Sequence, residues 1–291
     1  MILTNTILLI EPVGFGFNSQ TAADNRFQKN NSSQNIIVQF ENFKKTLENA
    51  GINVIVFKPH DIHTPDAVYP NNWFSTFPDN KMIIYPMMAI NRRLERRVEF
   101  IENLKKKYSN LIDLTELETT DNFIEGTGSL VIDHDLKIAY ACLSKRTTLF
   151  GIEKWESVTG YKVIKFTAND ENGFPVYHTN VILTLSPAFA IVCLDSILPS
   201  DKIRITESLS STGREIISIS FEQTKMFCGN CLVLKNKREE QLLIMSDQAK
   251  GSFTKDQLTS IEKYVKIVSS DLSEIESIGG GGARCMVAEL F

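Results

Sequence analysis

The sequence predicts an α/β fold built from five similar units, each with about three short strands and one helix. Five segments have helical character, and they begin near residues 34, 92, 148, 201 and 254, about 53 to 58 residues apart. Short β-rich runs lie between them, and no Pro-, Ser- or Gly-rich linker divides the chain. Units this short cannot bury their apolar faces alone, so we expect residues 1–291 to form one ring and a single domain.

The spacing of apolar residues identifies the helices. Three segments repeat apolar side chains at the interval of one helix face. These positions are Ile36, Phe40, Phe43 and Leu47 in the first segment, Leu94, Val98, Ile101 and Leu104 in the second, and Leu258, Ile261, Val265 and Val268 in the last. Weaker helical segments begin near Thr148 and near Asp201. The pattern therefore predicts one helix in each unit.

The strands are short and are separated by turns and loops. The clearest are Ile7–Ile10, Val54–Phe57, Lys81–Tyr85, Lys137–Tyr140 and Val181–Leu185. Residues 13–33 are rich in Gly, Asn and Ser and are expected to form a long loop. Loops of this length often act as functional lids, although an ordinary surface loop fits the composition equally well.

The composition is that of a soluble globular protein, with 43% hydrophobic and 23% charged residues. A net charge of −4 gives no basis for a nucleic-acid or anionic-membrane partner. No apolar run approaches the length of a membrane span, and the N-terminal segment has no signal-peptide pattern. We therefore expect neither nucleic acid nor membrane as a partner. Composition leaves monomer and homo-oligomer open.

The cysteines lie at positions 142, 193, 228, 231 and 285. An odd number at irregular spacing does not suggest a disulfide framework and favours a reducing, cytoplasmic location. The segment Cys228–Cys231 has the Cys-x-x-Cys pattern, but the histidines lie far away in sequence and a strand-like run follows it. Zinc would require a second cysteine pair or nearby histidines, and a redox motif would usually begin a helix. We therefore expect no metal there.

Cys285 follows the glycine run Gly279–Gly282 and is a candidate nucleophile. Glycine lets the backbone approach a ligand closely, and a thiol can act as nucleophile when a histidine and a carboxylate assist it. His178 lies beside a strand-like run, and Glu125 begins another. These three residues fall in different units, and equivalent strand ends of a ring converge on its axis. A buried structural cysteine and histidine are the alternative.

Several motifs occur in the order seen in the guanidino-group-modifying superfamily, which the chain resembles over nearly its whole length. They are Pro65–Asn72, Ile124–Gly126, Leu143–Thr147, Tyr177–Asn180 and Gly282–Cys285. The resemblance is greatest to its amidinotransferase-related branch, which includes citrulline-utilising hydrolases and is related to arginine deiminase and dimethylarginine dimethylaminohydrolase. It implies the pentein fold, an α/β propeller with five blades.

The resemblance also implies roles for individual residues. Cys285 would be the nucleophile and His178 the general acid and base, while Glu125 would orient the substrate nitrogen and the histidine. Arg146 would hold the substrate carboxylate, because a guanidinium can bind a carboxylate through two hydrogen bonds.

Two further residues would bind the substrate. Arg92 or Arg93 would supply a second carboxylate-binding arginine, with a solvated helix start as the alternative. Asp66 would meet the substrate α-amino group, or would cap the turn after Pro65.

Two asparagines depart from the pattern of guanidine-processing relatives. Asn72 and Asn180 stand where many of those relatives have carboxylates. A guanidinium buried against neutral amides would lack a counter-charge, whereas a neutral ureido group matches the donors and acceptors of asparagine. This predicts citrulline or a related ureide as the small-molecule substrate.

The predicted reaction is hydrolysis through a carbamoyl thioester on Cys285, with no metal or organic cofactor. His178 would protonate the leaving amine and then deprotonate water. The alternatives are a guanidine hydrolase acting on arginine or methylarginine, an amidinotransferase that uses an amine in place of water, and a non-catalytic pentein binding module.

Overall fold

The strands form five small sheets. The computed structural model describes residues 1–31 and 35–291, and in these residues fifteen strands make five sheets of three strands each. The strands are β1 (Thr6–Ile10), β2 (Asn53–Phe57), β3 (Phe74–Thr76), β4 (Lys81–Ile84), β5 (Asn110–Asp113), β6 (Val131–Asp133), β7 (Ile138–Cys142), β8 (Lys162–Phe166), β9 (Leu183–Leu185), β10 (Phe189–Val192), β11 (Glu215–Ser218), β12 (Leu232–Lys235), β13 (Gln241–Ser246), β14 (Lys266–Ser270) and β15 (Ala288–Glu289).

The helices connect the strands or precede them. They are α1 (Ile36–Asn49), α2 (Ile90–Arg93), α3 (Val98–Lys105), α4 (Gly126–Ser129), α5 (Leu149–Thr159), α6 (Pro199–Ser210), α7 (Phe221–Lys225), α8 (Asp247–Ser252), α9 (Lys255–Glu262) and α10 (Ser273–Gly279). Short 3₁₀ turns span Pro70–Asn72, Thr115–Thr120 and Thr179–Val181. None of the described helices is both long enough and apolar enough to cross a membrane.

Every sheet has the same topology. The first strand pairs antiparallel with the second, and the second pairs parallel with the third across a helical connection. The sheet orders are β15-β1-β2, β3-β4-β5, β6-β7-β8, β9-β10-β11 and β12-β13-β14. The first strands of neighbouring sheets touch, since β15 contacts β3 and β9 contacts both β6 and β12. The fold is therefore α/β, and its sheets agree with the predicted unit of three strands and one helix.

The first predicted helix face is confirmed. Ile36, Phe40, Phe43 and Leu47 of α1 are buried and belong to one apolar cluster with side chains of β1, β12 and β13. The weaker predictions near Thr148 and Asp201 correspond to α5 and α6. The expected loop has no helix or strand over residues 13–31. Its last two residues, and the predicted helix start at 34, lie outside the described residues.

The second predicted helix face is wrong at its first two residues. Leu94 and Val98 are 59% and 73% exposed, whereas Leu104 is buried and Ile101 packs against the same apolar cluster, together with Phe100. The helix is interrupted between α2 and α3, where the polar side chain of Glu95 turns inward. Glu95 is buried here because it pairs with the buried Arg92, so the spacing of apolar residues does not decide which side of this segment faces the core.

The last helix and one strand are shorter than predicted. Helix α9 ends at Glu262, so Val265 lies in the connection to β14 and Val268 lies in β14 itself. The strand predicted at Val181–Leu185 begins only at Leu183, because Thr179–Val181 forms a 3₁₀ turn.

Candidate active site

A turn precedes the first strand of each sheet, and these turns carry the buried polar residues of the candidate site. The residues are Asn72 before β3, Glu125 before α4 and β6, His178 and Asn180 before β9, Asn230 before β12 and Cys285 before β15. Each is at most 4% exposed. Glu125 and His178 therefore each precede a short helical turn. The prediction that Glu125 begins a strand is wrong, because α4 lies between it and β6.

His178 is held by Glu125. The Nε2 atom of His178 lies 2.9 Å from Oε2 of Glu125, whose other oxygen accepts from the backbone N–H of Met88 at 3.0 Å. Burial opposes ionisation of Glu125, but Arg146, at 3.7 Å, and the His178 hydrogen bond hold the Glu125 pKa at about 2. Burial lowers the pKa of His178 and outweighs the effect of Glu125. At neutral pH this gives an ionised Glu125 beside a neutral His178.

The other ring nitrogen of His178 lies against Gly128. A Cβ atom on Gly128 would lie 2.7 Å from His178 Nδ1 and 2.4 Å from Asn72 Nδ2. Glycine is therefore required where these two side chains meet the backbone. Because the Glu125 carboxylate accepts from Nε2, Nδ1 remains an acceptor that can take a proton.

The Cys285 thiol lies between two asparagines. Asn230 and Asn180 donate to Sγ through their Nδ2 atoms at 3.2 Å and 3.5 Å. Burial raises the pKa of Cys285, and Asn230 and then Arg284 oppose this rise. The thiol is therefore protonated at neutral pH. Among the described residues no hydrogen bond joins Cys285 to His178.

Arg92 is buried, which excludes the alternative of a solvated helix start. Its guanidinium donates from Nε to Glu95 at 2.8 Å and from Nη1 to Asn72 Oδ1 at 2.6 Å. Arg93 is partly exposed and donates to the Met87 carbonyl at 3.0 Å. The buried arginine at this place is therefore Arg92.

Asp66 is bound to the long loop instead of capping its own turn. Its Oδ2 accepts from Asn18 Nδ2 and from Thr21 Oγ1, each at 2.8 Å. Its Oδ1 is buried and has no hydrogen-bond partner among the described residues. One carboxylate oxygen thus remains available for a positively charged group.

Arg146 is held by Asp24, which lies on the same loop. Its guanidinium binds both carboxylate oxygens of Asp24, with 3.0 Å between Nε and Oδ2, and Nη2 donates to the Thr21 carbonyl at 2.9 Å. Asn25 and Gln28 of the loop donate to the carbonyl of Gly279 at 3.3 Å and 3.0 Å. Together with Asp66, these contacts hold residues 18–28 across the site.

Sequence reasoning missed Asn230, as well as the buried partners of the two arginines, Asp24 and Glu95. Asn230 lies inside the Cys-x-x-Cys segment, whose two sulfurs donate to the carbonyls of Ala249 and Cys228 at 3.3 Å. Within the described part of the chain, no group of His, Cys, Asp or Glu side chains could hold a metal ion. Its position in the repeat, in the turn before the first strand of a sheet, is the signal that could have identified Asn230.

Comparison with protein families identifies the chain as a member of the guanidino-group-modifying pentein superfamily. A family model described as eukaryotic N,N dimethylarginine dimethylhydrolase matches residues 11–291, and the chain belongs to that family. Comparison with curated protein sequences gives no match.

Solved structures of similar fold cover almost the entire chain. The N-terminal domain of ArgZ with bound product, an arginine dihydrolase of the ornithine–ammonia cycle in cyanobacteria, has a TM-score of 0.77 and 17% identity, with 98% of this chain and 97% of that chain covered. Unliganded AgrE has a TM-score of 0.78 and 16% identity. The match covers 98% of this chain and 39% of the AgrE chain. A dimethylarginine dimethylaminohydrolase adduct with S-methyl-L-thiocitrulline has a TM-score of 0.71 and 16% identity, with 99% and 100% covered. At these identities the likeness shows the fold.

Proposed function

We propose that this protein is a cysteine-dependent hydrolase that acts on the guanidino group of an arginine-type amino acid. In this proposal Cys285 is the nucleophile, His178 the acid and base, and Glu125 the carboxylate that orients them. The family match and the names of the structural neighbours favour a guanidino substrate over the citrulline expected from the sequence.

The charge balance of the site carries the proposal. Two buried arginines, Arg92 and Arg146, are accompanied by four carboxylates, which belong to Asp24, Asp66, Glu95 and Glu125. Burial raises the pKa of Glu95 to about 7 despite Arg92, so this group is partly protonated at neutral pH. With Asp24 in place on Arg146, the site still has an excess of negative charge, and the excess is smaller once Asp24 moves away. Arginine carries a net charge of +1 and citrulline none, so arginine is the better electrostatic complement.

The state of the thiol supports the same substrate. Burial raises the pKa of Cys285, and its hydrogen-bonding neighbours are neutral amides. A guanidinium bound next to the sulfur would stabilise the thiolate by direct charge attraction, whereas a ureide would bring no charge. The substrate itself would then activate the nucleophile.

The argument for citrulline depended on Asn72 and Asn180. The Oδ1 atom of Asn72 already accepts from Arg92, so at most one lone pair remains for a substrate N–H. Asn180 Oδ1 is buried without a partner among the described residues, and it could accept from a guanidinium as well as from a urea. A ureide remains the second candidate substrate, because both side chains are neutral.

The proposed mechanism needs only the side chains of this chain and water. The thiol proton of Cys285 passes to His178, and Sγ then attacks the guanidino carbon. His178 delivers this proton to the leaving nitrogen, and ammonia or an alkylamine departs. This leaves a thiouronium group on Cys285. Water then gives a proton to His178 and adds to the same carbon, and collapse releases the thiol and a ureido amino acid.

Substrate binding would use the remaining buried charges. We propose that Arg146 and Arg92 hold the α-carboxylate and that the free oxygen of Asp66 accepts from the α-ammonium. Asp24 forms an ion pair with Arg146 and would have to move before the substrate α-carboxylate could bind there.

We also propose that residues 1–291 form one catalytic domain, with the five sheets arranged as five blades around a common axis. The repeated topology and the contacts between first strands support this arrangement. A cytoplasmic location remains a prediction; all five cysteines are unpaired, which agrees with it.

A release assay tests the substrate class. Ammonia and alkylamine release is measured with arginine, methylated arginines, agmatine and citrulline, and the ureido or ornithine product is quantified in parallel. The proposal expects turnover of a guanidino substrate with formation of a ureido product. Turnover of citrulline alone, with ornithine as product, would establish the ureide candidate in its place.

A further inference from the structure

A cavity of about 530 Å³ lies beside the candidate active site, and Asp24, the partner of Arg146, lies on its border. It is bordered by loop residues 24–29, by residues 170–177, by α7 and by α10. None of the proposed catalytic residues Cys285, His178 and Glu125 lines it. Its volume is in the range of pockets that bind small organic molecules.

The walls of this cavity are largely apolar. Val176, Ile182, Phe221 and Phe227 contribute to them. At the rim, Lys225 lies 2.6 Å from Glu171, so these opposite charges neutralise each other. The other charged residues of the lining, apart from Glu276, are two cations and two anions, namely Arg26, Lys29, Asp24 and Asp170. An occupant would therefore need an apolar body.

One buried carboxyl group lines the cavity without a counter-charge. Glu276, on α10, is 1% exposed, and its Oε2 accepts from Gln248 Nε2 at 3.3 Å. Its Oε1 has no hydrogen-bond partner, and no lysine, arginine or histidine forms an ion pair with it, among the described residues. Burial raises the pKa of Glu276 to about 8. A buried acid with a free oxygen is costly unless a ligand satisfies it.

We propose that this cavity is a second small-molecule site, which binds an organic cation with an apolar body and uses the Glu276 carboxylate as the counter-ion. A primary ammonium or an amidinium group fits this role. Binding would transfer the carboxyl proton to solvent and leave a carboxylate paired with the cation. The proposal does not depend on the reaction at Cys285.

Gly282 lies close to both Glu276 and Asn230. A Cβ atom on Gly282 would lie 3.0 Å from Glu276 Oε1 and 3.1 Å from Asn230 Oδ1. The carboxyl group and the asparagine that holds Cys285 thus meet the same face of one glycine. The cavity is therefore a close neighbour of the reaction site, and Asp24, which binds Arg146, also lines it.

Calorimetric titration with benzylamine tests the proposal. We expect one site with a Kd on the order of 1 mM, as suits a ligand with so few heavy atoms. Titrations at pH 7 in buffers of different ionisation enthalpy should show release of close to one proton per ligand, because an acid with a pKa of about 8 is mostly protonated at this pH. Benzyl alcohol, which has nearly the same shape and no charge, should bind at least about tenfold more weakly and release no proton.

Variants locate the site. Glu276→Gln should weaken benzylamine binding at least about tenfold and abolish proton release. Glu274→Gln, on the same helix but outside the cavity lining, is the matched control and should behave as the wild type. Phe221→Ser keeps the carboxyl group and removes part of the apolar wall, so it should also weaken binding.

Three results would overturn the proposal: no saturable binding, binding and proton release unchanged in Glu276→Gln, or displacement of benzylamine by arginine in a Cys285→Ala protein. The last result would place benzylamine in the reaction site. If Glu276→Gln does not fold, two other measurements test the proposal. The wild type should release a proton on binding benzylamine, and Phe221→Ser should bind benzylamine more weakly; failure of either contradicts the proposal. Loss of turnover in Cys285→Ala with intact benzylamine binding keeps this proposal distinct from the proposed reaction.

Discussion

Asn230 contacts Cys285 through both ends of its side-chain amide. Its Nδ2 donates to Sγ at 3.2 Å, and its Oδ1 accepts from the backbone N–H of Cys285 at 3.3 Å. The same Nδ2 also donates to the Asn180 carbonyl at 2.8 Å. One asparagine therefore orients the sulfur, supports the turn that carries it and ties that turn to the neighbouring sheet.

Asn230→Ala should lower kcat/KM by about a hundredfold, the usual effect of removing one preorganised donor from a charged intermediate. The thiolate would lose a hydrogen bond, so the basic rise in the pH profile of kcat/KM should move to higher pH. The measurement is a pH-rate profile of wild type and variant. A fall in rate with an unshifted profile would show that Asn230 only supports the backbone.

Cys285→Ser and His178→Ala should each abolish turnover while the thermal unfolding midpoint changes little. A serine hydroxyl is far less readily ionised than a thiol, and alanine cannot transfer a proton. The matched control is Cys193→Ser, because Cys193 is buried in another apolar cluster and, among the described residues, its sulfur accepts only from Ser196 Oγ. Near wild-type turnover in Cys285→Ser would rule out covalent catalysis by this residue.

An arginine-type substrate should show a kcat/KM at least about a hundredfold above that of citrulline, because the excess of buried carboxylates favours a cation. Asn72→Asp should increase this ratio further by adding one more negative charge to the site. Steady-state kinetics with both substrates provide the comparison. A higher kcat/KM for citrulline in the wild type would restore the ureide hypothesis and leave the cysteine mechanism intact.

Asp24→Asn should lower KM for arginine several-fold, on the expectation that the substrate carboxylate has to displace Asp24 from Arg146. Agmatine provides the internal control, since it has no α-carboxylate and its KM should not fall. If both substrates respond equally, Asp24 acts on the loop and not through competition for Arg146.

Glu276→Gln should become more stable relative to the wild type as the pH rises. The pKa of Glu276 is raised from an ordinary 4.5 to about 8 by burial. Between these values the unfolded state ionises while the folded state keeps its proton, so the wild type should lose about 1.4 kcal/mol of unfolding free energy per pH unit. This loss should level off above pH 8.

Denaturant unfolding of wild type and variant at pH 5 and pH 9 measures the difference. Glu274→Gln is the control, because it removes an acid from the same helix at a partly exposed position. Equal pH dependence in the wild type and Glu276→Gln would show that Glu276 ionises normally in the folded protein.

Much of the fold could be predicted because it depends on local patterns. The face Ile36, Phe40, Phe43 and Leu47 repeats at helical spacing within one segment, and α1 buries it as expected. The second predicted face failed at Leu94 and Val98, because the spacing of apolar residues does not reveal that Glu95 finds a buried partner in Arg92.

The sequence by itself determined the repeat of three strands and one helix, the turn position of Cys285 after its glycine run, and the separation of Glu125 and His178 into different units. Tertiary structure alone decided that Asn230 contacts the thiol of Cys285, 55 residues away in sequence. It also decided that Asp24 pairs with Arg146, 122 residues away. Local spacing records which face of an element is apolar. It carries no information about which distant turns meet, because the packing of the sheets against one another sets those distances.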